Sequence, residues 1–256
     1  MNTNNIIKHI CSRLNESKLE SEPWPHKFIE DIFPEDFYKK IIQKLPSNNF
    51  YKSRISLDKN AQVTNYSPER HVFQMNIENL NSLDENDKSF WYNFFKDLCS
   101  EEIQNSVLSI FKNTLDNRMK NLTELEKSKI GTKNYKIVKR GEIVKDFKKY
   151  HLGAHTDTYN KLITFLFYLP VDNSLEKLGT SIFKSKNDIK DSDLLVHQSK
   201  EETEKNFIKI KTCKFIPNSL LIFPRTNSSF HGVDEVNENS SERDLFLFNY
   251  YIYGDK

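Results

Sequence analysis

Two of the seven histidines in this 256-residue chain stand in company that suits a metal ion. His155-Thr156-Asp157 precedes an apolar run, Leu162 to Leu169, and His231 follows another, Ser219 to Phe223. An imidazole and a carboxylate two residues apart point to one side of an extended chain, and a later strand can deliver a second imidazole to the same place. Two nitrogens and one oxygen then hold one face of a metal and leave neighbouring positions open, the geometry used by ferrous ions that activate O2. By itself the spacing is a modest signal, because an HxD tripeptide with a distant histidine arises often by chance. Arg243 strengthens it. It lies twelve positions beyond His231 and opens a further apolar run, Leu245 to Tyr253. A guanidinium there can reach the same cavity and grip a carboxylate through two hydrogen bonds. Thr164, Leu166 and Tyr168 share one face by period 2, and that parity predicts the hydroxyls of Thr164 and Tyr168 beside the Arg243 head. One cation with neighbouring hydroxyls suits the far carboxylate of a diacid.

The elements that must position these residues fall into two halves. Ile6, Ile7, Ile10 and Leu14 form one helical stripe, and Phe37, Ile41, Ile42 and Leu45 form another that stops before Pro46. Pro34-Glu35-Asp36 places a proline and two carboxylates in the first turn of the second helix, where a missing N–H costs nothing and the dipole favours negative charge. From Asn86 to Leu115 the spacing of Phe90, Trp91, Phe94, Leu98, Ile103, Val107 and Ile110 predicts one long or two consecutive amphipathic helices packed on a sheet. Ser53 to Asn79 reads as a loop region with one strand at His71 to Ile77, carrying Arg54, Tyr66, Arg70 and Gln74 as functional groups; Asn117 to Thr132 reads as a helix end and a connection. Beyond that the character changes. Tyr135 to Val144, Leu162 to Leu169, Thr180 to Phe183, Phe207 to Phe215, Ser219 to Phe223 and Leu245 to Tyr253 are short, rich in β-branched and aromatic residues, and separated by turn formers. Asp188 to Lys205 reads as a long exposed excursion. The pattern predicts an α+β fold in one domain, with 1–132 as mainly helical support and substrate-side loops and 133–256 as a sandwich or jelly roll carrying the site.

Composition narrows the classes. Lys and Arg number 38 against 36 Asp and Glu, so the net charge of +2 gives no reason to expect a nucleic-acid partner. A mean hydropathy of -0.69 is low, but 19 Phe and 11 Tyr supply large apolar areas for a core. No run approaches the roughly 20 apolar residues that span a bilayer, and the N-terminus has no secretory pattern. Cys11, Cys99 and Cys213 are odd in number and widely separated, which predicts reduced thiols and a cytoplasmic setting without a membrane partner.

Four segments together resemble a known family. YHLGAHTDTYNKLITFLFYLP (Tyr150 to Pro170), GTSIF (Gly179 to Phe183), PNSLLIFPRTNSSFHGVDEV (Pro217 to Val236) and ERDLFLFNYYIY (Glu242 to Tyr253) are similar to the 2-oxoglutarate and Fe(II)-dependent oxygenases, in their prolyl-hydroxylase-like branch, over most of Lys145 to Tyr253. PWPHKFIEDIFPEDFYKKIIQKLP (Pro23 to Pro46) looks like the opening of many such enzymes. The resemblance implies a double-stranded β-helix, or jelly roll, with the N-terminal helices packed on one face. It implies His155, Asp157 and His231 as ligands of Fe(II), and Arg243 on the C5 carboxylate of 2-oxoglutarate with Tyr168 assisting and Thr164 and Tyr150 as further cofactor-binding residues. O2 is then the second cosubstrate and ascorbate a candidate reductant. The implied activity is hydroxylation of a C–H bond of a small molecule or a peptidyl side chain, with succinate and CO2 as coproducts. The chain departs from its relatives at three places. Lys145-Asp146 and Lys148-Lys149 stand where an Arg-Asp pair and a Pro-Gly often precede the tyrosine. Leu245 replaces the usual small polar residue, which shifts carboxylate binding onto Tyr168 or Thr164. Asp157 is a carboxylate where halogenating relatives have Gly or Ala, which favours hydroxylation.

Other readings stay open at this level. A metal-binding barrel of cupin type could isomerise or epimerise a sugar, or bind one without redox chemistry; such sites carry more histidine ligands and need no anchored diacid. A degenerate scaffold would be expected to lose its ligands first. His151 reads as a rim residue, and His9, His26, His71 and His197 as surface or satisfied histidines, with His71 able to face a substrate beside Arg70 and Gln74. Arg225 and Asn227 line a mouth or form a turn, and Phe246, Phe248, Tyr250 and Ile252 are core. The oligomeric state is left open.

Overall fold

All strand pairings are antiparallel in the computed structural model, which describes residues 3–57, 67–189, 194–236 and 242–256. The chain opens with helix α1 (Thr3–Glu16), whose buried stripe is Ile6, Ile10 and Leu14, then strand β1 (Lys27–Ile29) and helix α2 (Glu35–Gln43). Pro34 stands just outside α2 as its N-cap, and Glu35 and Asp36 fill the first turn. Short strands β2 (Lys52–Ser53) and β3 (Arg70–Gln74) follow, each next to a single helical turn, Arg54–Leu57 and Ile77–Leu80. The predicted strand in this stretch therefore ends at Gln74, and Tyr66 lies outside the described residues.

The stretch from Asn86 forms three helices: α3 (Glu85–Leu98), α4 (Glu101–Ile110) and α5 (Lys112–Lys120). The break after Leu98 has a local cause, since the Ser100 side chain accepts from the Ile103 backbone N–H and starts a new helix. Helix α6 (Glu124–Ile130) is capped reciprocally, with Thr123 and Glu126 each satisfying the other's backbone N–H.

The second half supplies strands β4 (Lys133–Asp146), β5 (Leu152–His155), β6 (Lys161–Tyr168) and β7 (Thr180–Ser185), helix α7 (Lys200–Asn206), and strands β8 (Phe207–Thr212), β9 (Ser219–Pro224), β10 (His231–Val233) and β11 (Arg243–Asp255). They form a seven-stranded sheet in the order β1-β9-β6-β11-β4-β3-β2 and a four-stranded sheet in the order β5-β10-β7-β8.

Alternation along the central strands decides what each face covers. On β6 and β11, Phe165, Phe167, Phe246, Phe248, Tyr250 and Ile252 meet the helical layer around Trp91 and Phe94, as expected for core residues. Leu166, Tyr168, Leu245 and Leu247 face the smaller sheet and pack with Leu152, Ile182 and Val233. Helices, large sheet and small sheet thus make three layers, and the candidate site lies between the two sheets. The expected excursion from Asp188 is not fully exposed: Leu194 and His197 are buried, and α7 precedes Phe207, while 190–193 lie outside the described residues. No described helix is long and apolar enough to cross a membrane.

Candidate metal and cosubstrate site

His155 ends β5 and pairs in register with His231 at the start of β10, so neighbouring strands of the small sheet carry the two imidazoles. Their ring centroids are 4.4 Å apart. Asp157 lies two residues beyond the end of β5, and one ligand atom from each of His155, Asp157 and His231 lies within 4.8 Å of the others. All three residues are buried. Nδ1 of His155 meets the Gly153 carbonyl at 2.9 Å, and Nδ1 of His231 meets the Ser229 carbonyl at 3.0 Å. A proton held on each Nδ1 leaves each Nε2 as a lone-pair donor, the orientation a metal ligand needs.

The electrostatics match that orientation. Burial, then the neighbouring His197 and His231, hold the His155 pKa well below the ordinary histidine range. Burial also lowers His231, against the opposing pull of Asp157. Burial alone would raise Asp157, but Lys161 and His231 outweigh it and hold the carboxyl below its usual range. Lys161 Nζ lies 2.6 Å from one Asp157 oxygen and Thr164 Oγ1 lies 2.5 Å from the other. Two neutral imidazoles beside an ionised carboxylate are the donor set that a divalent borderline metal takes. The residues fit the ion.

A cavity of about 340 Å³ extends from this triad along the inner face of β11, past Leu247 and Leu245, to Arg243. Arg243 is fully buried and belongs to a cross-strand row: Asp146 on β4 pairs with Arg243 on one side and with Arg70 of β3 on the other. Asp146 accepts from Arg70 Nε at 2.6 Å and Nη2 at 2.8 Å, and also from Arg243 Nη1. Arg243 Nε donates to the Leu178 carbonyl at 2.7 Å, while its buried Nη2 has no hydrogen-bond partner among the described residues. Two guanidiniums against one carboxylate leave this row with a surplus positive charge, and an orphaned donor in it suits an anion.

Tyr168, Thr164 and Tyr150 sit differently from one another. The Tyr168 hydroxyl is engaged with Thr180, 2.8 Å from its Oγ1 and 3.2 Å from its N–H, and its ring centroid is 5.9 Å from the Arg243 guanidinium carbon. Thr180, not Tyr168, lines the cavity at that end. Thr164 corrects the parity argument. Antiparallel pairing sets it opposite Asn249, about 20 Å along β11 from Arg243 at ~3.3 Å per residue, so its hydroxyl serves Asp157. Tyr150 is buried with the Arg70 guanidinium 4.4 Å above its ring.

Several residues stand closer to the candidate site than the sequence alone places them. His197, read as a surface or satisfied histidine, is buried, and its ring centroid is 4.2 Å from that of His155. No local pattern marks it, since it arrives on the segment before α7. Arg225 is fully buried, and its Nε donates to the Asp157 carbonyl at 3.3 Å. Asp146, noted only as a departure, is the shared acceptor of the arginine row. His71 turns its ring onto Phe147, 4.9 Å away, while the adjacent Arg70 reaches the cavity.

No family model matches the chain, and no curated protein matches it in sequence. Similar solved structures include a prolyl-4-hydroxylase from Pseudomonas putida, 9% identical over 96% of this chain and 98% of that one, with a TM-score of 0.46. HygX from Streptomyces hygroscopicus, with nickel, 2-oxoglutarate and hygromycin B bound, is 11% identical over 88% of this chain and 82% of its own, with a TM-score of 0.49. The epimerase SnoN, in complex with Fe3+, alpha ketoglutarate and nogalamycin RO, is 7% identical over 98% of this chain and 86% of its own, with a TM-score of 0.46.

Proposed function

We propose that the protein is a non-haem Fe(II)- and 2-oxoglutarate-dependent dioxygenase that hydroxylates a C–H bond of a small molecule or of a peptidyl side chain. The supporting observation is that one cavity joins the His155-Asp157-His231 triad to the buried Arg243 and its orphaned donor. The two facing antiparallel sheets are read as a jelly roll, and the three free thiols fit a reducing cytoplasm. A cupin-like isomerase would have no use for a buried guanidinium at the far end of its cavity.

In this reading His155, Asp157 and His231 hold Fe(II), and Arg243 takes the far carboxylate of 2-oxoglutarate. Bound together with O2, these groups supply an oxidation in which the cosubstrate loses CO2 to become succinate and one oxygen atom goes to the substrate. The protein's share is position. Lys161 and Thr164 fix the Asp157 carboxylate, the two backbone carbonyls fix the imidazoles, and Leu166, Leu245 and Leu247 keep water from the middle of the cavity. A cavity of about 340 Å³ that must also seat a five-carbon diacid has room for a small molecule or a single side chain.

The test is succinate release from 2-oxoglutarate with Fe(II) and O2. His155→Ala, Asp157→Ala and His231→Ala should each abolish it, including the slow release without substrate. Unchanged turnover in any of the three rejects the assignment.

A further inference from the structure

Asp157 is not on a strand. It belongs to the connection between β5 and β6, so something other than sheet pairing must aim its carboxylate at the two imidazoles. Behind this connection lies a buried cluster of two arginines and one glutamate: Arg118 on α5, Glu126 on α6 and Arg225 just after β9. Arg225 donates from Nε to the Asp157 carbonyl at 3.3 Å, and Arg118 donates from Nη1 to the Lys161 carbonyl at 2.8 Å and from Nη2 to the Tyr159 carbonyl. Glu126 Oε1 binds both guanidiniums, 2.6 Å from Arg225 Nη1 and 3.5 Å from Arg118 Nε. Its other oxygen takes the Thr123 N–H at 3.1 Å, which ties the cluster to the start of α6. The Arg225 guanidinium carbon also lies 4.9 Å from the Tyr159 ring centroid.

We infer that Arg118 and Arg225, paired through Glu126, are positioning residues of the metal site: they hold the carbonyls of Asp157 and Tyr159 in the connection and of Lys161 at the start of β6, and so set the direction of the Asp157 carboxylate. Two cations and one anion are far more than a buried turn needs, because burying a charge without compensation is costly. A turn of this kind closes with its own backbone bonds, and this one has one, Lys161 N–H to the Thr158 carbonyl at 2.9 Å. The arginines act on the carbonyls that flank the ligand. The helical layer thereby builds part of a site that lies on the far side of the large sheet.

The inference rests on the metal reading above, and metal affinity tests the two separately. The full chain is titrated with Co(II), followed by its visible absorption. Outer partners of a metal ligand typically contribute 10- to 100-fold to affinity, so Arg118→Met and Arg225→Met should each weaken Co(II) binding about 10- to 100-fold, with altered band positions. Arg225→Lys, which keeps a positive charge beside Glu126 but not the planar fork, should give a smaller loss in the same direction and covers the case in which a Met variant does not fold. Trp91→Phe, a core change remote from the site, should lower the melting temperature without moving Co(II) affinity. Wild-type affinity in folded Arg118→Met and Arg225→Met overturns the positioning role. Failure of the wild type to take Co(II) overturns the metal reading instead.

Discussion

Replacing Arg243 with methionine separates the cosubstrate seat from the fold around it. The side chain keeps an unbranched apolar stem without the guanidinium, and Asp146 keeps two hydrogen bonds from Arg70 at 2.6 and 2.8 Å, so no carboxylate is left buried alone. The losses to the fold are the bonds to the Leu178 carbonyl and to Asp146, about 1.5–3 kcal/mol each for hydrogen bonds that involve a charged group. For the cosubstrate the loss is of similar size. Removing one partner of a buried, hydrogen-bonded charge pair costs about 2–5 kcal/mol. At roughly 1.4 kcal/mol per tenfold, that is a weakening of about 30-fold to several thousand-fold in 2-oxoglutarate affinity. Arg243→Lys retains charge but not the planar fork and should fall between the wild type and the methionine variant. The assay is calorimetric titration of 2-oxoglutarate with Mn(II) in place of Fe(II), so that no turnover occurs. A folded Arg243→Met chain that binds 2-oxoglutarate within about threefold of the wild type, on a scale where the charge pair is worth at least ~2 kcal/mol, refutes the assignment.

Three further outcomes are expected. Gly153→Ala would place a β-carbon 1.7 Å from the Gln198 carbonyl oxygen, so β5 must move away and carry His155 with it; Co(II) titration should show weaker binding, and unaltered affinity contradicts the close approach. Trp91→Ala removes a fully buried ring packed on Phe94 and Phe246 whose Nε1 donates to Lys44 at 2.7 Å, and urea unfolding should show a loss of about 3–5 kcal/mol. His26 has its pKa lowered, first by burial and then by Lys211, against the opposing Trp24 carbonyl and Glu20. The unfolded chain therefore binds its proton more readily, so the stability from this group is complete above the unfolded value of about 6.5 and falls as pH drops below it. The urea midpoint should decline from pH 7 to pH 5.5 less steeply in His26→Asn than in the wild type, and equal slopes contradict the assignment to His26.

The convergence of His155, Asp157 and His231 is legible in the sequence because its geometry is local to strands. An HxD at a strand end and a histidine opening another strand need only antiparallel pairing to converge, and the His155–His231 register supplies it. Period 2 separates Phe246, Phe248 and Tyr250 from Leu245 and Leu247 without any knowledge of the partner layers. Parity does not fix distance along a strand, and that is why Thr164 was expected beside Arg243 yet stands at Asp157. Asp146, His197, Arg118 and Arg225 escape for another reason. Each acts through a contact between segments remote in the chain, such as Arg70 with Asp146 or Arg225 with Glu126. A single sequence carries no periodic trace of such pairs.

Strand β11 enters the large sheet between β6 and β4, with its register set on both sides. Until it arrives, those two strands have no common neighbour and the sheet is open through its middle. The same strand brings Arg243, so sheet closure and completion of the arginine end of the cavity are one event. During synthesis the triad residues emerge before β11 does. On the proposed reading, a growing chain holds its candidate metal ligands before it holds the guanidinium, so the site is complete only once the last strand has closed the sheet.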